Sequence, residues 1–156
     1  MMPDAVSFGR PCCACAGGGS LCTSRVSLFS GLSREEQLSL VRTARHLDYR
    51  KGERIFSQQD PADCVLVVRF GRVKLVRTGL EGREILLDVL NPGDALGEHT
   101  LFSDETYGAD GIAVDETGVC RISAASVSAL LPNSPELARG LLRSMGRKLS
   151  DARQMS

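Results

Sequence analysis

Residues 71–98 read GRVKLVRTGLEGREILLDVLNPGDALGE, and they contain the clearest strand and turn signals of the chain. Apolar and basic side chains alternate over residues 72–75, which is the period-two pattern of a strand with one buried face. Leu-Glu-Gly at residues 80–82 predicts a hairpin turn between two strands. Asn-Pro-Gly-Asp at residues 91–94 predicts a tight turn after the second strand. The stretch therefore indicates antiparallel β-structure.

Short apolar runs separated by turn residues continue on both sides of this stretch, from about Asp48 to Ser123. The strand candidates are RKGERIF, DCVLVVRFG, RVKLVRTG, REILLDVL, DALGE, GIAVDE and GVCRIS. Many evenly spaced short strands with glycine turns predict an all-β roll or sandwich.

A helix is predicted before the β region. Ser33 and Glu36 have the spacing of a capping box, and the apolar residues that follow recur at helical spacing. We expect this helix to run from about Arg34 to Arg45, with Leu47 extending its apolar stripe.

Two helices are predicted after the β region. AASVSALL forms a short one that Pro132 stops, and Ser134-Pro135-Glu136 supplies the cap and first turn of a longer one ending near Met155. Five apolar residues of the long helix follow a heptad seam, namely Ala138, Leu142, Met145, Leu149 and Ala152. Such a seam docks on its own domain or pairs with a second copy, and we predict a homodimer.

Composition limits the class of protein. The 156 residues suit one domain, and 19 basic residues balance 19 acidic ones, so no charge excess points to nucleic acid or to an anionic membrane. No apolar run is long enough to cross a bilayer, and no secretory signal is visible. We expect a cytoplasmic protein without a membrane partner. No hydrolase triad, HExxH or phosphate-loop pattern occurs, so an enzyme is not expected.

Residues 11–22, PCCACAGGGSLC, contain four of the six cysteines. Because cytoplasmic thiols stay reduced, this cluster favours a metal or redox site over structural disulfides. A zinc site, a metal-free thiol–disulfide switch and a tail with incidental thiols all remain compatible with the spacing. His46 and His99 have no partner pattern, and we interpret both as structural.

The segments YRKGERIFSQQDPADCVLVVRFGRVKL (residues 49–75) and GREILLDVLNPGDALGE (residues 82–98), with the Leu-Phe that follows, resemble the sensory half of the Crp/Fnr transcription regulators. The resemblance covers about residues 27–155. It implies a mainly β fold with flanking helices: a double-stranded β-helix (jelly roll) like a cyclic-nucleotide-binding domain, plus a long C-terminal dimerisation helix. The expected divisions are a cysteine-rich cluster-binding loop, a β-roll sensory domain with its leading helix, and the dimerisation helix, at residues 1–26, 27–131 and 132–156.

Cyclic-nucleotide-binding members of the family hold the phosphate with GE-x-x-LF followed by Arg-Ser/Thr-Ala. The first half is present and begins at Gly97-Glu98, but Tyr107 and Gly108 stand where the arginine and the hydroxyl residue belong. A buried phosphodiester needs a cationic partner, which a guanidinium supplies with two parallel hydrogen bonds. We therefore expect no cyclic nucleotide, and a purely structural turn at Gly97-Glu98.

The FNR-type branch of the family holds a [4Fe–4S] cluster with an N-terminal cysteine loop and one distant cysteine. By this resemblance Cys12, Cys15, Cys22 and Cys120 are the ligands, and Cys13 could replace Cys12. Thiolates are the ligands that iron–sulfur clusters select. Cys64 lies in an apolar strand and is expected to be a small buried hydrophobe.

The resemblance implies the sensory and dimerisation domain of an FNR-type regulator, in which a cluster that responds to oxygen or redox state controls dimerisation. DNA would be bound only through a helix-turn-helix domain, which this chain, ending at Ser156, does not contain. We expect either a fragment or a protein that acts without binding DNA. The alternative is a cyclic-nucleotide-binding-like module that senses another small ligand, or a protein-interaction domain without a cluster.

Overall fold

The computed structural model describes residues 28–29, 31–101 and 106–155. Within these residues the chain forms three α-helices: α1 (Arg34–Val41), α2 (Ala124–Leu130) and α3 (Pro135–Met155). The eight strands are β1 (Arg45–Tyr49), β2 (Arg54–Phe56), β3 (Cys64–Phe70), β4 (Val73–Thr78), β5 (Glu84–Leu90), β6 (Ala95–Leu96), β7 (Asp110–Ala113) and β8 (Thr117–Ser123). Two short 3₁₀ turns lie at Glu98–Leu101 and Leu131–Asn133.

The strands form two four-stranded antiparallel sheets, in the orders β1-β8-β3-β6 and β2-β7-β4-β5. Strands that follow one another in the chain mostly lie in different sheets, as in a jelly roll. Among the described pairings, β4 and β5 are the one pair of consecutive strands that forms a hairpin. Gly82 occupies a left-handed conformation (φ +78°) in the hairpin turn, where its N–H donates to the Gly79 carbonyl. The predicted roll and its hairpin are confirmed.

The space between the two sheets is filled by apolar side chains from both. Strands β3 and β4 contribute alternate residues to it, as expected of pleated strands. The inner core consists of Leu47, Ile55, Phe56, Leu66, Val68, Val73, Leu75, Leu90, Tyr107, Ala109, Ala113 and Val119. The two sheets are therefore joined by a shared apolar interior.

A second core covers the outer face of the first sheet. Strand residues such as Val65 and Ile122, which alternate with those of the inner core, pack against the helices and against the start of the described chain. We call this the outer layer, and its buried members are Leu28, Phe29, Leu32, Leu40, Ala44, Val65, Val67, Ala95, Cys120, Ile122, Val127, Leu137 and Leu141. The outer layer therefore joins the roll, α1, α2 and the first half of α3.

The predicted first helix is too long. Its capping box is present, but α1 ends at Val41, and Arg45 begins strand β1. The chain turns at Thr43, whose hydroxyl donates to the Leu40 carbonyl. All five residues of β1 then pair with β8, and Leu47 packs between the sheets instead of on a helix. Pairing with a distant strand overrides the helical spacing, which is a short-range signal.

The C-terminal helices match the prediction. α2 ends at Leu130, before the 3₁₀ turn that contains Pro132. The Ser134 hydroxyl accepts a hydrogen bond from the Leu137 N–H at 3.3 Å and caps α3, which extends over 21 residues. In the part of the chain that the structure describes, no helix is both long and apolar enough to cross a membrane.

Candidate functional site

Cys120 lies in the middle of β8, and its side chain belongs to the outer layer. The residue is 0% exposed, in one packed cluster with Leu28 and with Leu137 and Leu141 of α3. His46 is its direct partner on the neighbouring strand β1, so the two side chains lie on the same face. Cys120 is thus buried where the start of the described chain, the roll and the long helix meet.

The other predicted ligands, Cys12, Cys15 and Cys22, lie outside the described residues, as does the alternative ligand Cys13. The chain that carries them enters the described structure at Leu28, six positions after Cys22. Leu28, the first residue that the structure describes, and Cys120 share the outer layer.

Cys64 lies on the opposite face of the same sheet. It begins β3 one position before Val65, an outer-layer residue, and so faces the space between the sheets. The side chain is half-buried, and burial raises the pKa of its thiol to about 11. Cys64 and Cys120 are therefore separated by the sheet, and the Cys64 thiol stays protonated at neutral pH.

Gly97 and Glu98 form the turn that the sequence predicted, but the glutamate does more than turn the chain. Gly97 has φ +100°, and a Cβ at this position would lie 2.6 Å from the Cys64 carbonyl oxygen. The Glu98 side chain is 2% exposed and accepts hydrogen bonds from Ser144 and Lys148 of α3. These two partners were not predicted.

Tyr107 and Gly108 occupy the positions of the missing arginine and hydroxyl residue. The Tyr107 ring is 7% exposed, lies 4.4 Å from the Phe56 ring between centroids, and its hydroxyl donates to the Cys64 carbonyl at 3.4 Å. Gly108 has φ +76°, and its N–H donates to Gln58. The Tyr107 ring is therefore part of the packed interior of the roll.

The roll interior also contains a guanidinium that the sequence analysis missed. Arg121 pairs across the strands with Leu66, an inner-core residue, and its Nε is buried without a hydrogen-bond partner among the described residues. Burial raises the pKa of Tyr107 to about 12, and the positive charge of Arg121 opposes that rise. The alternation of GVCRIS could have revealed this, because Arg121 must face away from Cys120 and Ile122.

The described residues bring together no group of three or more His, Cys, Asp or Glu side chains that could bind a metal ion. Of the predicted cluster they contain Cys120 alone, and it fits the part of a single distant ligand in two respects. Its sulfur is the soft donor that iron–sulfur clusters require, and the packed outer layer keeps water from it.

The predicted seam of α3 is exposed along most of its length. The fractional exposures of Leu142, Met145 and Leu149 are 73%, 36% and 57%. Leu137 and Leu141, on a different side of the helix, are 0% and 1% exposed and hold its first half against the roll. The helix therefore has separate faces for docking on the roll and for the seam.

Residues 46–134, more than half of the chain, match the cyclic nucleotide-binding domain. The chain belongs to this family, in the form found in Crp/Fnr-type transcription regulators. It is 35% identical to the cyclic AMP receptor protein of Thermus thermophilus, over 80% of this chain and 58% of that protein. It is 33% identical to the transcriptional activator protein anr of Pseudomonas aeruginosa, over 74% of this chain and 46% of that protein.

The fold agrees with these relatives. The crystal structure of the sensor domain of the transcriptional regulator DNR from Pseudomonas aeruginosa superposes with a TM-score of 0.75 at 27% identity, covering 85% of this chain and 89% of that one. The chain spans about half the length of the curated relatives that it matches. The similarity thus concerns their sensory part.

Proposed function

We propose that this chain is the sensory part of an FNR-type transcription regulator, and that Cys12, Cys15, Cys22 and Cys120 bind a [4Fe–4S] cluster. One observation carries the proposal: Cys120 is buried in the layer that also contains Leu28, the first described residue, which follows Cys22 by six positions in the sequence. The resemblance to FNR-type proteins supplies the ligand set.

The bound cluster would supply sensitivity to oxygen, because its iron and sulfide are open to oxidation. The protein's own contribution is to connect the cluster's attachment point with α3. Cys120 lies in the same packed layer as Leu137 and Leu141, so loss of the tether at Cys120 removes support from the docked half of the helix. Close-packed interiors transmit such changes because they tolerate few voids.

The output in this proposal is homodimerisation through the exposed seam of α3, with DNA bound by a part of the regulator beyond this chain. Burying the side chains of Leu142, Met145 and Leu149 against a second copy removes apolar surface from water. A change of about 1.4 kcal/mol in the free energy of dimerisation alters its constant tenfold, so a small displacement of α3 is sufficient.

The test is iron and acid-labile sulfide analysis of protein that is purified and reconstituted without air. We expect about four irons per chain, and a visible absorption that bleaches in air. Cys120→Ser should abolish iron retention, whereas the matched Cys64→Ser, on the other face of the sheet, should not. Equal iron content in the two variants, or colourless wild-type protein, contradicts the proposal. Stoichiometric zinc instead of iron supports the zinc alternative.

Arg121 favours a second candidate, a roll that binds a small anion. Its buried Nε faces the interior beside Tyr107, where an anionic oxygen could accept a hydrogen bond. Calorimetric titration with a cyclic nucleotide and with inorganic phosphate tests this. Binding that Arg121→Met abolishes supports the anion-binding roll. The absence of binding heat with both ligands contradicts it.

A further inference from the structure

Glu98 is a buried carboxylate at the junction between the roll and the long helix. It follows β6 and begins the 3₁₀ turn Glu98–Leu101. The Ser144 hydroxyl donates to its Oε2 at 2.5 Å, and Lys148 Nζ donates to its Oε1 at 2.6 Å. Lys148 also donates to the Ala95 carbonyl at 2.8 Å. One side chain of the roll thus binds two residues of α3 that are one helical turn apart.

The side of α3 that contacts the roll is apolar in the first half of the helix and polar further along. At 3.6 residues per turn, Leu137, Leu141, Ser144 and Lys148 form one row. The two leucines are buried, while Ser144 is half-buried and the Lys148 side chain is 44% exposed. Apolar packing therefore holds the first half of α3, and charge-assisted hydrogen bonds hold the second half.

The exposed seam lies about a quarter turn around the helix from this row. Its residues Leu142, Met145 and Leu149 interleave along the chain with Ser144 and Lys148. A rotation or tilt that breaks the contacts of Glu98 must therefore also redirect the seam. Hydrogen bonds depend steeply on distance and angle, so this half of the helix is either held in one position or released.

We propose that Glu98 is the positioning residue that fixes the second half of α3 on the roll and so sets the direction of the seam. In this chain the glutamate of the GE-x-x-LF segment is bonded to its own helix. β6 pairs with β3, and β3 pairs with β8, so one sheet connects Glu98 with the strand of Cys120. We call the contacts of Glu98 with Ser144 and Lys148 the hold on α3. The hold does not depend on the proposed function, but an action of the cluster on the seam through the hold does.

Hydrogen exchange of the full chain, metal-free and under reductant, tests the hold. Glu98→Gln removes the charge but keeps the shape of the side chain. We expect the amides of residues 144–150 to exchange at least about tenfold faster, which corresponds to 1.4 kcal/mol, with β3 and β8 unchanged. The matched control is Glu136→Gln, which breaks the exposed pair with Arg139 in the first turn of α3. An effect no larger than that of the control overturns the proposal.

Lys148→Met removes the same contact from the helix side and leaves the buried Glu98 unchanged. If Glu98 and Lys148 act as one unit, the double variant should exchange about as fast as the faster single variant. Rates that multiply across the two substitutions contradict a shared contact. This comparison remains informative even if Glu98→Gln lowers the stability of the whole roll.

A last comparison separates the hold from the proposed function. Wild-type protein is compared metal-free and after anaerobic reconstitution, and we expect exchange in residues 144–150 to slow on reconstitution. In Glu98→Gln, with unchanged iron content, that difference should disappear; a difference of the same size overturns the coupling through Glu98. If wild-type protein retains no iron, the proposed function fails while the metal-free test of the hold stands.

Discussion

Two glycines of α3 allow a matched test of how tightly the long helix packs on the start of the described chain. Gly140 lies against Leu28, and an added Cβ would sit 2.2 Å from the Leu28 carbonyl oxygen. Gly146 lies on the same helix with nothing within 4 Å of an added Cβ. Gly140→Ala and Gly146→Ala are therefore the same change in two environments. The first should be the less stable, and the second more stable than wild type.

The magnitude follows from the geometry. Each alanine gains about 1 kcal/mol of helix propensity, and this gain cancels between the variants. At position 140 the contact must open from 2.2 Å to at least 3.0 Å, a shift of about 0.8 Å against backbone. Such a shift loosens Leu137 and Leu141, and a gap of that order forfeits about a quarter to a half of the roughly 1.5–3 kcal/mol from each buried leucine. Gly140→Ala should be less stable than Gly146→Ala by about 1–3 kcal/mol.

Urea unfolding followed by far-ultraviolet circular dichroism, at one protein concentration, measures the difference. The comparison is valid where the slope of free energy against urea is the same in both variants, since a changed slope means a changed denatured or native state. We expect Gly146→Ala to raise the free energy of unfolding by about 0.5–1 kcal/mol over wild type. A Gly140→Ala protein as stable as Gly146→Ala would refute the close approach of α3 to Leu28.

Two further predictions concern the seam and the inner face of the sheet. Leu149→Lys should weaken dimerisation at least about tenfold, measured by analytical ultracentrifugation, because burying a charge at the seam costs free energy. The control Leu80→Lys, at the fully exposed hairpin tip, should leave dimerisation unchanged. Equal effects of the two substitutions would contradict dimerisation through the seam. In a variant that keeps Cys64 as its one cysteine, carbamidomethylation by iodoacetamide should rise with pH up to about 11, because burial raises the pKa of the thiol to that value. A rate that levels off near pH 9 would show that the thiol is not buried.

Much of the fold follows from local signals. The hairpin turn, the Asn-Pro-Gly-Asp turn, the capping box of α1 and the Ser134 cap of α3 are each specified within four or five residues, and the structure contains all four. Strand β1 was missed because its hydrophobic pattern is weak: only Leu47 of its five residues is both apolar and buried. Its pairing with β8 joins residues 68 to 76 positions apart, which no short window contains.

The candidate site, too, has one feature that the sequence predicted and one that it did not. The position of Cys120 in the strand GVCRIS was predicted, and the structure places it on the helix-covered face. The contacts of Glu98 were not predicted, because its partners lie 46 and 50 residues away. A signal was nevertheless available, since Ser144 and Lys148 continue the row of Leu137 and Leu141.

The two faces of the first sheet separate two routes to the long helix. Cys120 and the docked half of α3 share the outer layer, so a change at Cys120 can reach Leu137 and Leu141 without crossing the sheet. Arg121 faces the other side, between the sheets, where a bound molecule has no access to that layer. One route from there leads along the sheet to β6, after which Glu98 contacts α3. Glu98→Gln should therefore weaken the effect of an interior ligand on the hydrogen exchange of residues 144–150, while a change at Cys120 would still act on the first half of the helix.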